Sequence, residues 1–138
     1  FAELHIAHAW EATGEDFMRH SAFMQRPDHE VNAYVEQVRR HHTQLLDTLM
    51  NEASAKLGEA AADYIKPQLH MPKGSARKVI PELAKELQVD CIVMGTVART
   101  GVPGLFMGNT AESILDQLDC SVLAIKPPGF VTPVALEE

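Results

Sequence analysis

The spacing of hydrophobic and polar positions changes several times along the chain, and each change predicts an element boundary. Residues 4–10, Leu-His-Ile-Ala-His-Ala-Trp, alternate loosely and predict a first strand. Residues 11–29 combine Gly14, Pro27 and charges without a period, which predicts a long loop with room for one helical turn. Val31, Tyr34, Val35, Val38, Leu45, Leu46, Leu49, Met50, Ala53 and Leu57 then recur at three and four residues, predicting one long amphipathic helix that Gly58 terminates. Residues 62–71 predict a second strand, and Pro67 assigns it to a sheet edge. A helix is expected over 75–88 with Val79, Ile80, Leu83, Ala84 and Leu87 as its buried stripe. Pro81 requires that this helix start just before it or kink there. Residues 91–94 predict a short buried strand, 111–118 an amphipathic helix, and 121–126 a last strand stopped by Pro127-Pro128, with an extended tail behind. Strands alternating with helices imply an α/β fold with a parallel sheet and right-handed crossovers.

Composition narrows the function classes. With 138 residues, 46% of them hydrophobic and 22% charged, the chain suits one soluble domain with a core over residues 1–126 and a tail over 127–138. A net charge of −7 argues against a nucleic-acid partner, since Arg39-Arg40 is too small a cluster to attract a phosphate backbone. No apolar run nears the roughly 18 residues that cross a bilayer and no signal-peptide pattern is seen, so a cytoplasmic protein without a membrane partner is expected. Cys91 and Cys120 each start a predicted buried strand and read as small apolar thiols. The opening on Phe1 rather than Met predicts a piece of a longer protein.

The most informative stretch joins the strand at 91–94 to the helix at 111–118. It carries Gly95, Gly101, Gly104 and Gly108, and it leaves the carboxyl end of a strand for a helix start, where open α/β sheets bind ligands. A second reading needs no ligand: Asn109 with Glu112 three residues on has the pattern of a helix-capping box, and Gly101-Val102-Pro103-Gly104 of a simple turn.

Gly95, two residues, Ala98, nine residues from Arg99 to Met107, then Gly108-Asn109 resemble the loop of the universal stress protein family at every spacing. Lys73-Gly74-Ser75-Ala76 and Val89-Asp90-Cys91-Ile92-Val93-Met94-Gly95 resemble that family as well. The likeness runs over nearly the whole chain and is nearest to the second half of a tandem member. It implies a doubly wound, Rossmann-like parallel sheet of the adenine nucleotide alpha hydrolase type, in the order 3-2-1-4-5. In that family a first strand and helix precede the segment that begins here at Phe1, so the sheet would have a gap beside the strand at 91–94. Their loop, with an acidic residue facing adenine and ribose, would be absent too. The resemblance further implies ATP, with Mg2+ when ATP is bound, or another small anion. Phosphates would lie against Gly95, Arg99, Gly108, Asn109 and Thr110, with Met94 and Ala9 near the base or ribose, and Thr96 would offer the nucleotide a hydroxyl from the same loop. Ala98 stands where the family's second glycine is usual, and a left-handed backbone there would cost on the order of 1 kcal/mol.

Other chemistry finds little support. The loop has no Gly-Lys-Ser/Thr and no carboxylate, so slow hydrolysis at most is expected. His5 and His8 point to opposite faces of one strand and His41 and His42 diverge on a helix, which does not favour a metal site. Ser75 reads as a helix cap and no serine sits in an elbow motif. Two classes remain: a nucleotide-responsive regulatory module, or an interaction domain acting through its last strand on a sister domain or a second copy.

Overall fold

A computed structural model describes residues 2–96 and 108–129, and the chain forms two compact units, Phe1–Ser75 and Ala76–Glu138. The first contains β1 (His5–Ala7), α1 (Glu15–His20), α2 (Asp28–Leu57), α3 (Glu59–Ile65) and β2 (Gln68–His70). β1 and β2 pair in parallel, His5 against Gln68 through Ala7 against His70, and an isolated bridge between Trp10 and Lys73 prolongs the contact. Parallel strands need a crossover of a dozen residues or more, and α2 with α3 supplies it.

The long helix expected from Val31 to Leu57 is present, begins three residues earlier, and stops where Gly58 takes φ +87°, a backbone that side-chain-bearing residues rarely adopt. Its apolar stripe is only partly covered. Val31 and Leu46 are buried, whereas Leu45, Leu49 and Leu57 are more than half exposed. Geometry explains this. Thirty residues make a helix about 45 Å long, and a three-residue strand rises about 10 Å, so this short pair cannot shield the whole stripe.

The loop foreseen over 11–29 holds its helical turn as α1, whose Arg19 bonds Glu15 Oε1 one turn back and Asn32 Oδ1 on α2 at 2.7 Å. One expectation in this unit needs correction. The strand foreseen over 62–71 survives only at Gln68–His70, because Ala60, Ala61 and Ala62 belong to α3, alanine being the strongest helix former.

The second unit contains α4 (Ala76–Glu86), β3 (Cys91–Gly95), α5 (Asn109–Leu115) and β4 (Ser121–Ile125). β3 and β4 also pair in parallel, from Cys91 against Ser121 to Gly95 against Ile125. The α/β class with parallel strands is thus as expected, although among the described residues the strands form two separate pairs rather than one ladder. β3 is less buried than expected: Val93 is 60% exposed, and Leu123 and Ile125 on β4 are at least half exposed. Cys91 is exposed rather than buried and Cys120 half-buried, and both thiols are free. No helix among the described residues is long and apolar enough to cross a membrane.

α4 packs on α5 around Pro81, Ala84, Ala111 and Ile114. Pro81 lies well inside α4, so its ring removes the N–H that would bond the Arg77 carbonyl four residues back. Gln117, just beyond α5, replaces that donor: its Nε2 donates to Arg77 O at 2.9 Å and to Ser113 O at 2.8 Å. A side chain from a neighbouring segment thus satisfies the carbonyl that proline orphaned. Gln117→Ala is expected to cost about 0.5–1 kcal/mol in urea unfolding. In a Pro81→Ala background, where residue 81 regains its N–H, the same change is expected to cost measurably less, and equal costs would exclude this role.

Candidate functional site

The ends of the glycine-rich loop are held together by backbone and side chain. β3 delivers Met94 and Gly95, Thr96 follows, and Gly108 precedes α5. The Gly108 N–H donates to the Thr96 carbonyl at 2.8 Å, closing the loop at its root. Thr96 is 2% exposed, the most deeply buried polar residue described in this unit. Its Oγ1 accepts a hydrogen bond from Lys126 Nζ. That meeting follows from the ladder: Gly95 pairs with Ile125, so the next residue of each strand, Thr96 and Lys126, emerges side by side at the carboxyl ends.

The two framing glycines are not demanded by backbone angle. Gly95 and Gly108 are absent from the left-handed region, Gly108 having φ −60° and ψ 142°. A Cβ on Gly95 would meet only Ile125 O at 3.9 Å, an ordinary contact.

The start of α5 differs from the capping box expected there. Gly108, not Asn109, is the N-cap, and as a glycine it has no side chain with which to cap the helix. Asn109 and Thr110 are the first helical residues and both are exposed. An Asn already inside the first turn cannot fold its side chain back as an N-cap does.

The structure therefore brings together Met94, Gly95, Thr96, Gly108, Asn109 and Thr110 at one loop root. Arg99, Ala98 and Thr100 lie outside the described residues. Ala9 belongs to the first unit, half-buried between β1 and Trp10. Lys126 was not singled out from sequence. The available signal was its place directly after the last strand, at the end where the preceding strand releases the loop.

The first unit has its own polar cluster at the carboxyl ends of β1 and β2. Trp10 is buried, donates through Nε1 to Met71 O at 3.1 Å and accepts the Gly74 N–H at 2.8 Å. Lys73 lies 5.8 Å from the Trp10 ring centre and pairs with Glu15 at 2.7 Å, and hydrogen bonding from Lys73 pulls the Glu15 carboxyl below its usual range. A cavity of about 310 Å³ opens here between Glu11, Ala12, Glu15, Asp16, Lys73 and Gly74. Histidines meet in two pairs that their sequence spacing did not reveal. His5 Nδ1 lies 3.0 Å from His70 Nε2, and His8 Nε2 lies 2.9 Å from His42 Nδ1. Among the described residues no three His, Cys, Asp or Glu side chains are grouped to hold a metal ion.

A family model described as "Universal stress protein family" matches residues 2–126. The chain is 32% identical over 136 residues to "Universal stress protein E" of Salmonella typhi and of Escherichia coli K12, a match covering 99% of this chain and 39% of those proteins. It is 32% identical over 87 residues to a universal stress protein of Methanocaldococcus jannaschii, covering 62% of this chain and 51% of that protein. The chain thus spans well under half the length of its full-coverage relatives. Among solved structures, a putative universal stress protein from Pseudomonas aeruginosa aligns with 90% of this chain and 34% of its own, at 29% identity and a TM-score of 0.49.

The His8–His42 pair generates a pH dependence. One ring nitrogen donates and the other accepts, so the bond is lost when both rings are protonated. Desolvation first, and the neighbouring His42 second, lower the His8 pKa below its ordinary value of 6.5. Between that lowered value and 6.5 the unfolded chain binds more protons than the folded one, so stability rises with pH through this window and levels off above it. The urea midpoint is expected to fall between pH 7.5 and pH 5.5, and to fall less in His8→Gln. Equal falls would exclude His8 as a source.

Proposed function

Because the chain belongs to the universal stress protein family, we propose that it is a stress-response regulatory domain that binds an adenine nucleotide at the root of the β3–α5 loop. The ligand is ATP, with Mg2+ carried on its phosphates. The observation that carries this reading is the closure of the loop root, where the Gly108 N–H meets the Thr96 carbonyl and Lys126 Nζ meets the buried Thr96 hydroxyl. A phosphate needs cationic and N–H donors in a pre-formed turn. Lys126 is a cation at this turn, and the N-cap of α5 is Gly108, which has no side chain to occupy the opening amides. Gly95, without a side chain, stands at the end of β3 where the loop begins.

Hydrolysis is slow or absent on this reading. Met94, Gly95, Thr96, Gly108, Asn109, Thr110 and Lys126 include no carboxylate to orient a water, and rapid phosphoryl transfer requires such positioning. Bound nucleotide acts as a signal: its occupancy alters the loop and, through it, contacts with a partner.

A second reading, an interaction domain without nucleotide, is favoured by one observation. Val93, Leu123 and Ile125 share one face of the β3–β4 pair and are all at least half exposed. A sister domain of a longer chain or a second copy, docking along the last strand, would cover them.

Native mass spectrometry of the purified protein, with calorimetric titration of ATP and Mg2+, separates the two. Bound adenine nucleotide in the wild type that vanishes in an Arg99→Ala, Gly108→Val double variant is the expected result. No bound species and no heat up to millimolar ATP would overturn nucleotide binding and leave the interaction domain.

A further inference from the structure

We propose that His5 and His70 form a two-nitrogen chelate for a divalent late transition ion of the zinc or copper class, with Glu3 as the outer partner of His5. The inference stands apart from the nucleotide reading, since its residues all belong to the first unit.

Strand pairing brings the ligands together. β1 and β2 run parallel with His5 beside Gln68 and Ala7 beside His70. Residues two apart on a strand share a face, so His5 and His70 are diagonal neighbours on one face of the pair. His5 Nδ1 is 3.0 Å from His70 Nε2, with the ring centres 5.2 Å apart. Imidazole nitrogens bind such ions at about 2.0–2.1 Å, so two of them at about 90–110° on one ion stand about 2.9–3.4 Å apart. The observed separation falls inside that range, and a small turn of each ring aims both lone pairs at a common point.

The far nitrogen of His5 has a partner of its own. Nε2 lies 3.5 Å from Glu3 Oε2. A carboxylate there keeps the proton on Nε2 and leaves the Nδ1 lone pair for a ligand bond, the arrangement that orients metal-bound histidines. In the hydrogen-bonded pair His70 Nε2 then carries the shared proton. When the ion enters, that proton moves to His70 Nδ1, and both ligating nitrogens present lone pairs with no change in ring charge.

Exposure suits an exchangeable ion. The His5 side chain is 18% exposed and His70 is half-buried, so water reaches the pair and fills the positions that two imidazoles leave open. Among the described residues no third His, Cys, Asp or Glu side chain completes the set, which makes this an open site rather than a closed structural one. The His8–His42 pair, at 2.9 Å, has the ring of buried Trp10 6.3 Å from that of His42 and supplies an internal control. It reports whether any close pair of histidines suffices.

The test is calorimetric titration of the tag-free full chain with Zn2+ and with Mg2+, without nucleotide, for the wild type and for His5→Gln, His70→Gln, Glu3→Gln and His8→Gln. Electron paramagnetic resonance with one equivalent of Cu2+ accompanies it. One Zn2+ per chain is expected, with affinity reduced about tenfold or more in His5→Gln and in His70→Gln, as removal of one of two ligands implies. Glu3→Gln should weaken Zn2+ by about threefold, since its carboxylate orients a ligand from an exposed position. His8→Gln, on the opposite face of the strand, should keep Zn2+ affinity within about twofold. Mg2+, which prefers oxygen ligands, should give no heat. The Cu2+ spectrum should show coupling to two nitrogens in the wild type and to one in His70→Gln. Either histidine variant serves if the other fails to fold, and His8→Gln decides if both fail. No Zn2+ binding by the wild type, unchanged affinity in the folded His5 or His70 variants, or loss of affinity in His8→Gln overturns the inference and leaves the nucleotide reading standing.

Discussion

Parallel strand pairing is the constraint from which most of this structure follows. Two parallel neighbours cannot be joined by a tight turn, so each pair must be linked by a helical crossover. In the first unit α2 and α3 make that return between β1 and β2, and in the second α5 makes it between β3 and β4. Both strands of each pair then release their chains at the same end. Trp10 and Lys73 meet at one such end, and Thr96 and Lys126 at the other. At these ends the backbone leaves the ladder and finds partners outside it, Gly74 N–H on Trp10 O and Gly108 N–H on Thr96 O.

Each end is stabilised by polar contacts that the short strands cannot provide alone. Three-residue strands form few ladder bonds, and Trp10 compensates by bonding the 71–74 segment through its indole N–H and its carbonyl while Lys73 lies near its ring. Pro81 and Gln117 show the same principle within helices. A proline inside α4 brings apolar bulk to the contact with α5, and the carbonyl it orphans is bonded by Gln117 from beyond α5. The defect and its repair lie 36 residues apart in sequence, as 117 minus 81 gives, yet they belong to one packing unit.

The loop root unites these themes with function. Thr96 is buried, its carbonyl receives the Gly108 N–H and its hydroxyl receives Lys126, so one residue connects strand, loop and helix. A turn tied at its base presents its donors without first paying to order them, which is the advantage of a pre-organised site. The glycine N-cap of α5 matters for the same reason. Had Asn109 been the cap, its side chain would satisfy the early amides; as the first helical residue it does not.

Local patterning was enough to read the parallel α/β class, the long helix ending at Gly58, the last strand and the family likeness, because each depends on neighbours in sequence. Periodicity reports which face of an element is apolar, and a glycine whose backbone turns left-handed ends a helix wherever it stands. Sequence alone misjudged α3, where three alanines outweighed a weak strand pattern, and the exposure of Val93 and Cys91, because burial depends on what lies across the sheet. It did not reveal Lys126, His8 against His42, or Gln117 against Arg77, whose partners stand 30, 34 and 40 residues away. Those meetings were decided by register and crossover length. Spacing along the chain sets the direction of each side chain, and only pairing between distant strands and helices determines what it meets.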